Sequence, residues 1–524
     1  MLGIERLRGR PLRLMVTVIC GCSFSLFGYD QALYGGVASG DAFLEQFHHP
    51  SATMTGQTAA LYDIGCLVGA VGAFLVASKL GHRNTLLLGS SIIIIGATIQ
   101  TASVNLGMLI AGRIIGGVGN GLNTSVSPVY HAETSRPQSR GRALLGELFI
   151  LDVGWLVAQF VTFGFSFTKG GIQWRFPTAF QMFYLVPIFI CLPWLPDSPR
   201  WLASKGRLSE AQDVLCQLMD EQPDSPQLLA QFEEIKEVVR LERAAERTKL
   251  SDLWNGEGQN LYRLILGCSS QLMQQLGGIN IIAYYVVIIF ENLGLGSVIA
   301  RILAACLGFG WLFANLASML VIEKWGRRKL LIIGGIGQFL TFLVAGIALG
   351  TGGDAKWAGI LVVTMVYLYF MVFAFAWQSI PFLYPAEISS LKYRARFFPL
   401  SICTNWSLNY VVVLITPIGL KNIGFWLYII FAIFNFVNVV MVWFFYVETA
   451  GKTLEQVDMM FVGDHQMERK SMPPYLRLRK TRFQALPETS IGETQVVGNI
   501  NDGEKASAHT SHVSYTGEMG GLHP

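Results

Sequence analysis

Apolar residues along the chain gather in twelve runs, at about 14–36, 56–78, 85–103, 107–131, 144–168 and 176–195, and then at about 262–290, 298–322, 330–350, 356–384, 397–419 and 424–446. Each run approaches or exceeds the roughly 20 residues a helix needs to cross the hydrocarbon core of a bilayer. The pattern predicts an all-α membrane protein with twelve transmembrane helices, in two bundles of six at 14–195 and 262–446. The interval 196–261 is rich in Glu, Arg, Lys and Gln with helical periodicity, and is predicted as a helical linker outside the lipid. Residues 1–13 form a short N-terminal segment and 447–524 a tail, whose Ser, Thr, Gly, His and Glu beyond about 460 predict disorder.

An internal repeat reaches the same division without hydropathy. Lys79-Leu-Gly81-His-Arg83 recurs as Lys324-Trp-Gly326-Arg327-Arg328, an offset of 245 residues between the glycines. Ala132-Glu133 with Arg140 recurs as Ala386-Glu387 with Arg394, and Asp197 of Pro-Asp-Ser-Pro-Arg200 finds its counterpart in Glu448 of Val-Glu-Thr-Ala-Gly-Lys. Each motif follows the second, fourth or sixth helix of its half. Two related bundles facing each other are the architecture of an alternating-access transporter, with its site near the midplane between them.

Composition agrees. Hydrophobic residues make up 52% and charged residues 14% of the 524, too apolar for a soluble domain and too rich in Phe, Trp and Ile for a disordered chain. The net charge of +4 is scattered through short loops without a basic face, so nucleic acid is not expected as a partner. The eight cysteines lack ligand spacing and read as core-packing residues, so no metal and no cofactor are expected. No nucleophile or metal arrangement suggests an enzyme.

Orientation follows from Lys and Arg near the helix ends. The N-terminus and the loops with Lys79 and Arg83 and with Arg136, Arg140 and Arg142 are basic, whereas 38–55 holds Asp41 and Glu45 and neither Lys nor Arg. Both termini and the linker are therefore expected in the cytoplasm, with the first helix serving as its own insertion signal because no small-residue cleavage site follows the basic start.

Ionisable residues within the spans are costly and therefore informative. Asp30, Asp63, Arg113, Glu147 and Asp152 all lie in the first half. The second half carries amides instead: Gln271, Gln274, Gln275 and Asn280 in the seventh run, Asn315 in the eighth, Gln378 in the tenth, and Asn405 and Asn409 in the eleventh. Amides both donate and accept, which suits a neutral polyhydroxyl ligand, while carboxylates beside an Arg can gain and lose a proton. The seventh-run amides are expected to face the ligand, with Gly277-Gly278 permitting local unwinding there. Asn315, Gln378, Asn435 and Asn438 are expected to bond between helices. Asp63 is open between a second titrating group and a satisfied acceptor. Asp30 facing Arg113 is the expected proton-coupling pair.

These residues carry a resemblance. The repeated Gly-x-Arg and Glu-to-Arg loops, Pro196-Asp-Ser-Pro-Arg200, Gln274-Gln275-Leu-Gly-Gly-Ile-Asn280 and Glu448-Thr-Ala-Gly-Lys452 together resemble the sugar porter family of the major facilitator superfamily, over about residues 15–460. Phe27-Gly-Tyr-Asp30, Gln173-Trp-Arg-Phe-Pro177 and Cys403-Thr-Asn-Trp406 resemble its fungal branch of glycerol and hexose proton symporters. The resemblance implies that Gln274, Gln275, Asn280 and Asn405 bond sugar hydroxyls and that Trp406 packs near the ligand. It also pairs Asp30 with Arg113, since the family's proton symporters set a first-helix Asp against a fourth-helix Arg. Three positions depart from the family pattern: Leu148 replaces a fifth-helix Gln, Phe382 a tenth-helix Trp at the substrate and Trp311 an eighth-helix Asn. The change favours a small polyol or an unusual sugar over a glucose-like substrate.

The expected function is a monomeric plasma-membrane carrier that imports a monosaccharide or polyol with a proton by alternating access. A uniporter, a nutrient sensor and a metabolite exporter of the same fold are the alternatives. A gating latch is expected where Glu133, Arg140, Asp197, Arg200, Glu323, Arg327, Glu387, Arg394 and Glu448 pair between helices and between bundles in the outward-facing state.

Overall fold

The computed structural model describes residues 7–135, 140–246, 259–353, 355–390, 393–452 and 454–462. The tail beyond 462 and the linker segment 247–258 lie outside the described residues. Among the described residues, eleven segments are helices long and apolar enough to cross a membrane. The spans in order are Gly9–Ala38, Ala52–Leu80, His82–Thr101, Leu106–Thr134, Arg140–Phe165 and Ile172–Trp194, then Asn260–Asn292, Ser297–Trp325, Arg327–Gly352, Lys356–Ile388, Arg394–Asn422 and Trp426–Phe445. Leu106–Thr134 is the one not counted by hydropathy, because Gly, Asn, Ser and Thr replace larger apolar residues along it. It lies against the second and third spans, where small residues let backbones touch: a Cβ on Gly117 would stand 2.2 Å from the carbonyl oxygen of Tyr62. The twelve expected spans are thus present.

The surface distribution is that of a protein in lipid. Phe313, Leu320 and Ile360 are largely exposed, while Asp30, Asp63, Arg113, Glu147 and Asp152 are buried. Lipid offers no partner to a polar group, so the polar side chains turn toward one another inside. The cysteines divide differently from expectation. Cys20, Cys66 and Cys216 are buried, but Cys306 is exposed on the eighth span, where a thiol is apolar enough to face acyl chains.

Three helices of the linker, Pro199–Ser204, Leu208–Met219 and Pro226–Glu246, pack beneath the first half, where Leu202, Leu215, Leu228 and Phe232 join Leu12 and Val16 of the first span in one core. The short helix Leu454–Val462 sits under the second half, where Arg263 contacts Asp458 and lies over the Phe461 ring at 4.4 Å. Both halves are therefore braced on one face of the molecule, called below the linker side.

The halves meet along three lines: second span against eleventh, fifth against eighth, and first against the second part of the seventh. The seventh and tenth spans are interrupted. Asn260–Leu276 and Ile279–Asn292 are separate helices with Gly278 at φ +92°, a conformation that costs a side chain strain and glycine none. In the tenth, Phe373–Trp377 forms a π-helical turn between Lys356–Val372 and Ile380–Ile388. Such turns commonly mark functional sites, and both interruptions border the same cavity.

Candidate functional site: a cavity between the two halves

The central cavity, about 90 Å³, is bordered by the first, fourth and fifth spans on one side and the seventh, eighth, tenth and eleventh on the other. Gln274, Gln275, Asn280, Asn405, Trp406 and Phe382 all line it. Asn409, one turn beyond Asn405, joins them, as does Gln31 of the first span. Gln271 does not line the cavity. Its amide donates to the Pro381 carbonyl at 2.8 Å and its oxygen accepts from Asn405 at 2.6 Å, so it supports from behind.

The amides form an ordered network. Asn280 Nδ2 donates to Gln275 Oε1 and, at 2.7 Å, to Asn409 Oδ1. Asn405 Nδ2 donates to both Gln271 and Gln274, and Gln274 Nε2 donates to the carbonyls of Trp377 and Gln378 at 2.9 and 3.1 Å. Gln274 is thereby committed to the protein. Gln275 Nε2, Asn280 Oδ1, Asn405 Oδ1 and Asn409 Nδ2 have no bonds to other described residues and are not among the enclosed unpaired atoms. Two donor groups and two acceptors therefore remain for a ligand. Trp406 packs edge-on against Phe27 of the first half, with ring centroids 5.3 Å apart.

Gln378 and Asn315 bond between helices as the sequence suggests, yet their common partner is a carboxylate from the other half. Asp152 accepts from Gln378 Nε2 and Asn315 Nδ2, both at 2.6 Å, and Trp311 Nε1 donates to Gln378 Oε1 at 2.5 Å. Sequence spacing alone shows nothing of this link, because its members are far apart in the chain.

Asp30 and Arg113 are neighbours, but no nitrogen-to-oxygen contact within 4 Å joins them among the described residues. Arg113 instead lies between the rings of Tyr34 and Tyr62, 4.8 Å from each centroid, and donates to the Ala59 carbonyl at 3.3 Å. Tyr62 turns its hydroxyl to Asp30 at 2.7 Å. A guanidinium is weakly hydrated and stacks well on aromatic faces, and the two tyrosine rings supply them. Asp63 accepts from Tyr284 of the seventh span at 3.2 Å and leaves its other oxygen unpaired. Glu147 has a partner no motif announced, His131 at 2.8 Å, whose other ring nitrogen lies 2.9 Å from Thr17 Oγ1.

Away from the linker side the halves are sealed. Arg301 of the eighth span donates to the Gly36 carbonyl and to Ser39 Oγ, both at 2.7 Å, and Trp155 donates to the Ala283 carbonyl at 3.2 Å. Gly35 lies so close to the Tyr284 carbonyl that a Cβ there would approach it to 1.8 Å. On the linker side a cleft between the second, fourth and eleventh spans shares Phe398 and Ile402 with the central cavity, which therefore leads that way.

The charged motifs border this linker side, but their pairs lie within each half. In the first half Ser198 donates to Glu133, Arg200 stands 3.7 Å from Glu133, and His82 stands 3.7 Å from both Glu133 and Asp197. In the second Arg327 pairs with Glu323 and Glu387, each at 2.8 Å. The ion pairs described for these motifs thus join residues of the same half, not the two bundles as expected of the latch. The side chains of Arg140 and Arg394 lie outside the described residues.

A family model for sugar (and other) transporters matches residues 15–461. The chain belongs to this sugar transporter family. Among its relatives in the family are the MFS-type transporter oryC of Aspergillus oryzae, 40% identical over 86% of each chain, and the sugar transporter STL1 of Saccharomyces cerevisiae, 35% identical over 88% of this chain and 83% of that one. The fold is that of the proton:xylose symporter XylE bound to 6-bromo-6-deoxy-D-glucose, with a TM-score of 0.73 at 24% identity, covering 86% of this chain and 99% of that one. It matches the partially occluded inward open conformation of XylE from E. coli at a TM-score of 0.71. Membership makes this a multi-pass membrane transporter and not an enzyme.

Proposed function

We propose that the protein imports a monosaccharide or small polyol together with a proton, by alternating access across the plasma membrane, acting as a monomer with both termini and the linker in the cytoplasm. The observation that carries this reading is the cavity at the junction of the halves, where amides of the seventh and eleventh spans hold four polar groups free for a neutral polyhydroxyl ligand. Gln275, Asn280, Asn405 and Asn409 bond hydroxyls, Gln274 fixes their geometry, and Trp406 and Phe382 pack against the carbon skeleton. Asp30, held by Tyr62 beside Arg113, exchanges the proton. Glu133, Asp197, Arg200, Glu323, Arg327, Glu387 and Glu448, with Arg140 and Arg394, form the latch that closes the cytoplasmic side in the outward-facing state. The names of XylE and STL1 agree with this substrate class.

The test is uptake of labelled sugars and polyols by a transporter-null cell expressing the full chain. Accumulation above the external concentration that a protonophore abolishes is expected. Equilibration without accumulation, indifferent to the protonophore, selects a uniporter, and no uptake of any member of the panel overturns the reading.

A further inference from the structure

The cavity has two unlike walls. Free polar atoms face it from the seventh and eleventh spans, and from Gln31 of the first. The wall built by the fifth, eighth and tenth spans presents Leu144, Leu148, Leu151, Trp311, Phe373 and Phe382. The two polar groups set in that wall are already engaged. An indole N–H only donates, so Trp311 takes the oxygen of Gln378, and this turns the Gln378 amide nitrogen to Asp152. Asp152 does not line the cavity. It is fully buried behind the wall, and its second oxygen is held by Asn315. Gln378 is thus held at both ends, its nitrogen by the Asp152 carboxylate behind the wall and its oxygen by Trp311. A ligand hydroxyl pressed against this wall loses its water and meets aromatic carbon, whereas a methyl or methylene loses nothing. Elsewhere around the cavity the Thr124 hydroxyl is spent on the Asn120 carbonyl of its own helix, and Gln31 faces in from the first span, not from this wall.

We propose that the carried molecule is a monosaccharide or polyol with one hydroxyl-poor face, such as a 6-deoxy sugar or a methylated polyol. Its hydroxyl edge meets Gln275, Asn280, Asn405 and Asn409, and its bare face rests on Leu148, Trp311 and Phe382. Asp152 is the positioning residue that keeps Gln378 and Trp311 from offering hydrogen bonds to it. The inference rests on the reading of the protein as a monosaccharide or polyol transporter.

Two sugar pairs that differ by a single hydroxyl test it: D-galactose with D-fucose, and D-glucose with 6-deoxy-D-glucose, with D-mannitol as an unmodified polyol. Binding to the purified full-length protein is read from tryptophan fluorescence, since Trp311 and Trp406 border the cavity. The deoxy member of at least one pair is expected to bind about tenfold or more tightly than its parent, although it has one hydroxyl fewer. Leu148→Gln, which restores a hydroxyl partner to the bare wall, is expected to shrink that ratio to about threefold or less. Asp152→Asn, which loosens the lock on Gln378, is expected to shrink it in the same direction. A parent sugar that binds as well as or better than its deoxy form in both pairs overturns the two-walled cavity and leaves the transport reading standing. Absence of binding and of uptake across all five compounds overturns both.

Discussion

Asp197 and Glu448 cap equivalent helices in the two halves. Asp197, after the sixth span, accepts the backbone N–H of His82 at 3.1 Å; Glu448, after the twelfth, accepts those of Arg327 and Arg328 at 2.8 and 3.1 Å. Each carboxylate sits at the positive end of a helix dipole, in front of a glycine with φ near +87° that turns the chain from one span into the next. The repeat seen in the sequence is therefore a repeat of electrostatic construction. The halves differ in what surrounds the cap: Arg327 holds two acids at 2.8 Å, where His82 stands 3.7 Å from its two.

The second-half cluster is the stronger place to perturb the balance of states. Glu387→Gln removes one of the two carboxylates on Arg327 while keeping shape and leaving Thr449 an oxygen to donate to. Transport is expected to fall at least about tenfold, equivalent to about 1.4 kcal/mol, at normal abundance and topology. Initial rates normalised to surface protein measure it, and near-normal turnover would sink the latch.

Gln275 and Asn280 are expected to set substrate affinity. Removing either amide leaves a ligand hydroxyl unpaired at a cost of about 1–3 kcal/mol, so Gln275→Ala and Asn280→Ala raise KM about tenfold or more. Asn438 donates to the Met273 carbonyl away from the cavity, and Asn438→Ala lowers abundance without that change in KM. Concentration-dependent uptake by the three variants decides the matter, since equal KM shifts in all three would make the amide row structural.

Asp30→Asn keeps the shape of the side chain and removes its titration. The variant is expected to exchange labelled for unlabelled substrate across the membrane but to lose concentrative uptake and its dependence on external pH. Tyr62→Phe, which removes the hydroxyl bonded to Asp30, is expected to shift that pH dependence without abolishing exchange. Accumulation by Asp30→Asn that still follows the pH gradient would exclude Asp30 as the coupling site.

Asp152→Ala strands two buried amide donors, each an expected cost of about 1–3 kcal/mol, whereas Asp152→Asn retains one acceptor. Thermal unfolding in detergent should rank wild type above Asp152→Asn and Asp152→Ala lowest. Coincident melting curves for all three would show that the link between the halves carries no stability.

The fold was legible because lipid leaves a helix few choices: long apolar runs, basic loops and motifs repeated at constant offset converge on one answer. Much of the cavity was legible for a related reason, since an amide within a span is too costly to be incidental. What escaped were several pairings between residues distant in sequence. Nothing in the spacing of Asp152, Asn315 and Gln378 announces that one carboxylate collects both amides, and nothing ties His131 to Glu147. The relation of Asp30 to Arg113 was legible as proximity but not as form, because stacking between Tyr34 and Tyr62 leaves no periodic trace.

The break in the seventh span lies between two of the residues proposed to bind the carried molecule. Gln275 belongs to the rod before Gly277 and Gly278, Asn280 to the rod after it, and Tyr284, one turn past Asn280, carries the hydroxyl that reaches Asp63. The joint is bridged by the bond from Asn280 to Gln275. A molecule that takes hold of both amides acts as a splint across that joint, and since Tyr284 is on the same rigid rod as Asn280, whatever stiffens the joint also steadies the door on the far side of the membrane. The cargo is then a structural member of the carrier for as long as it is aboard.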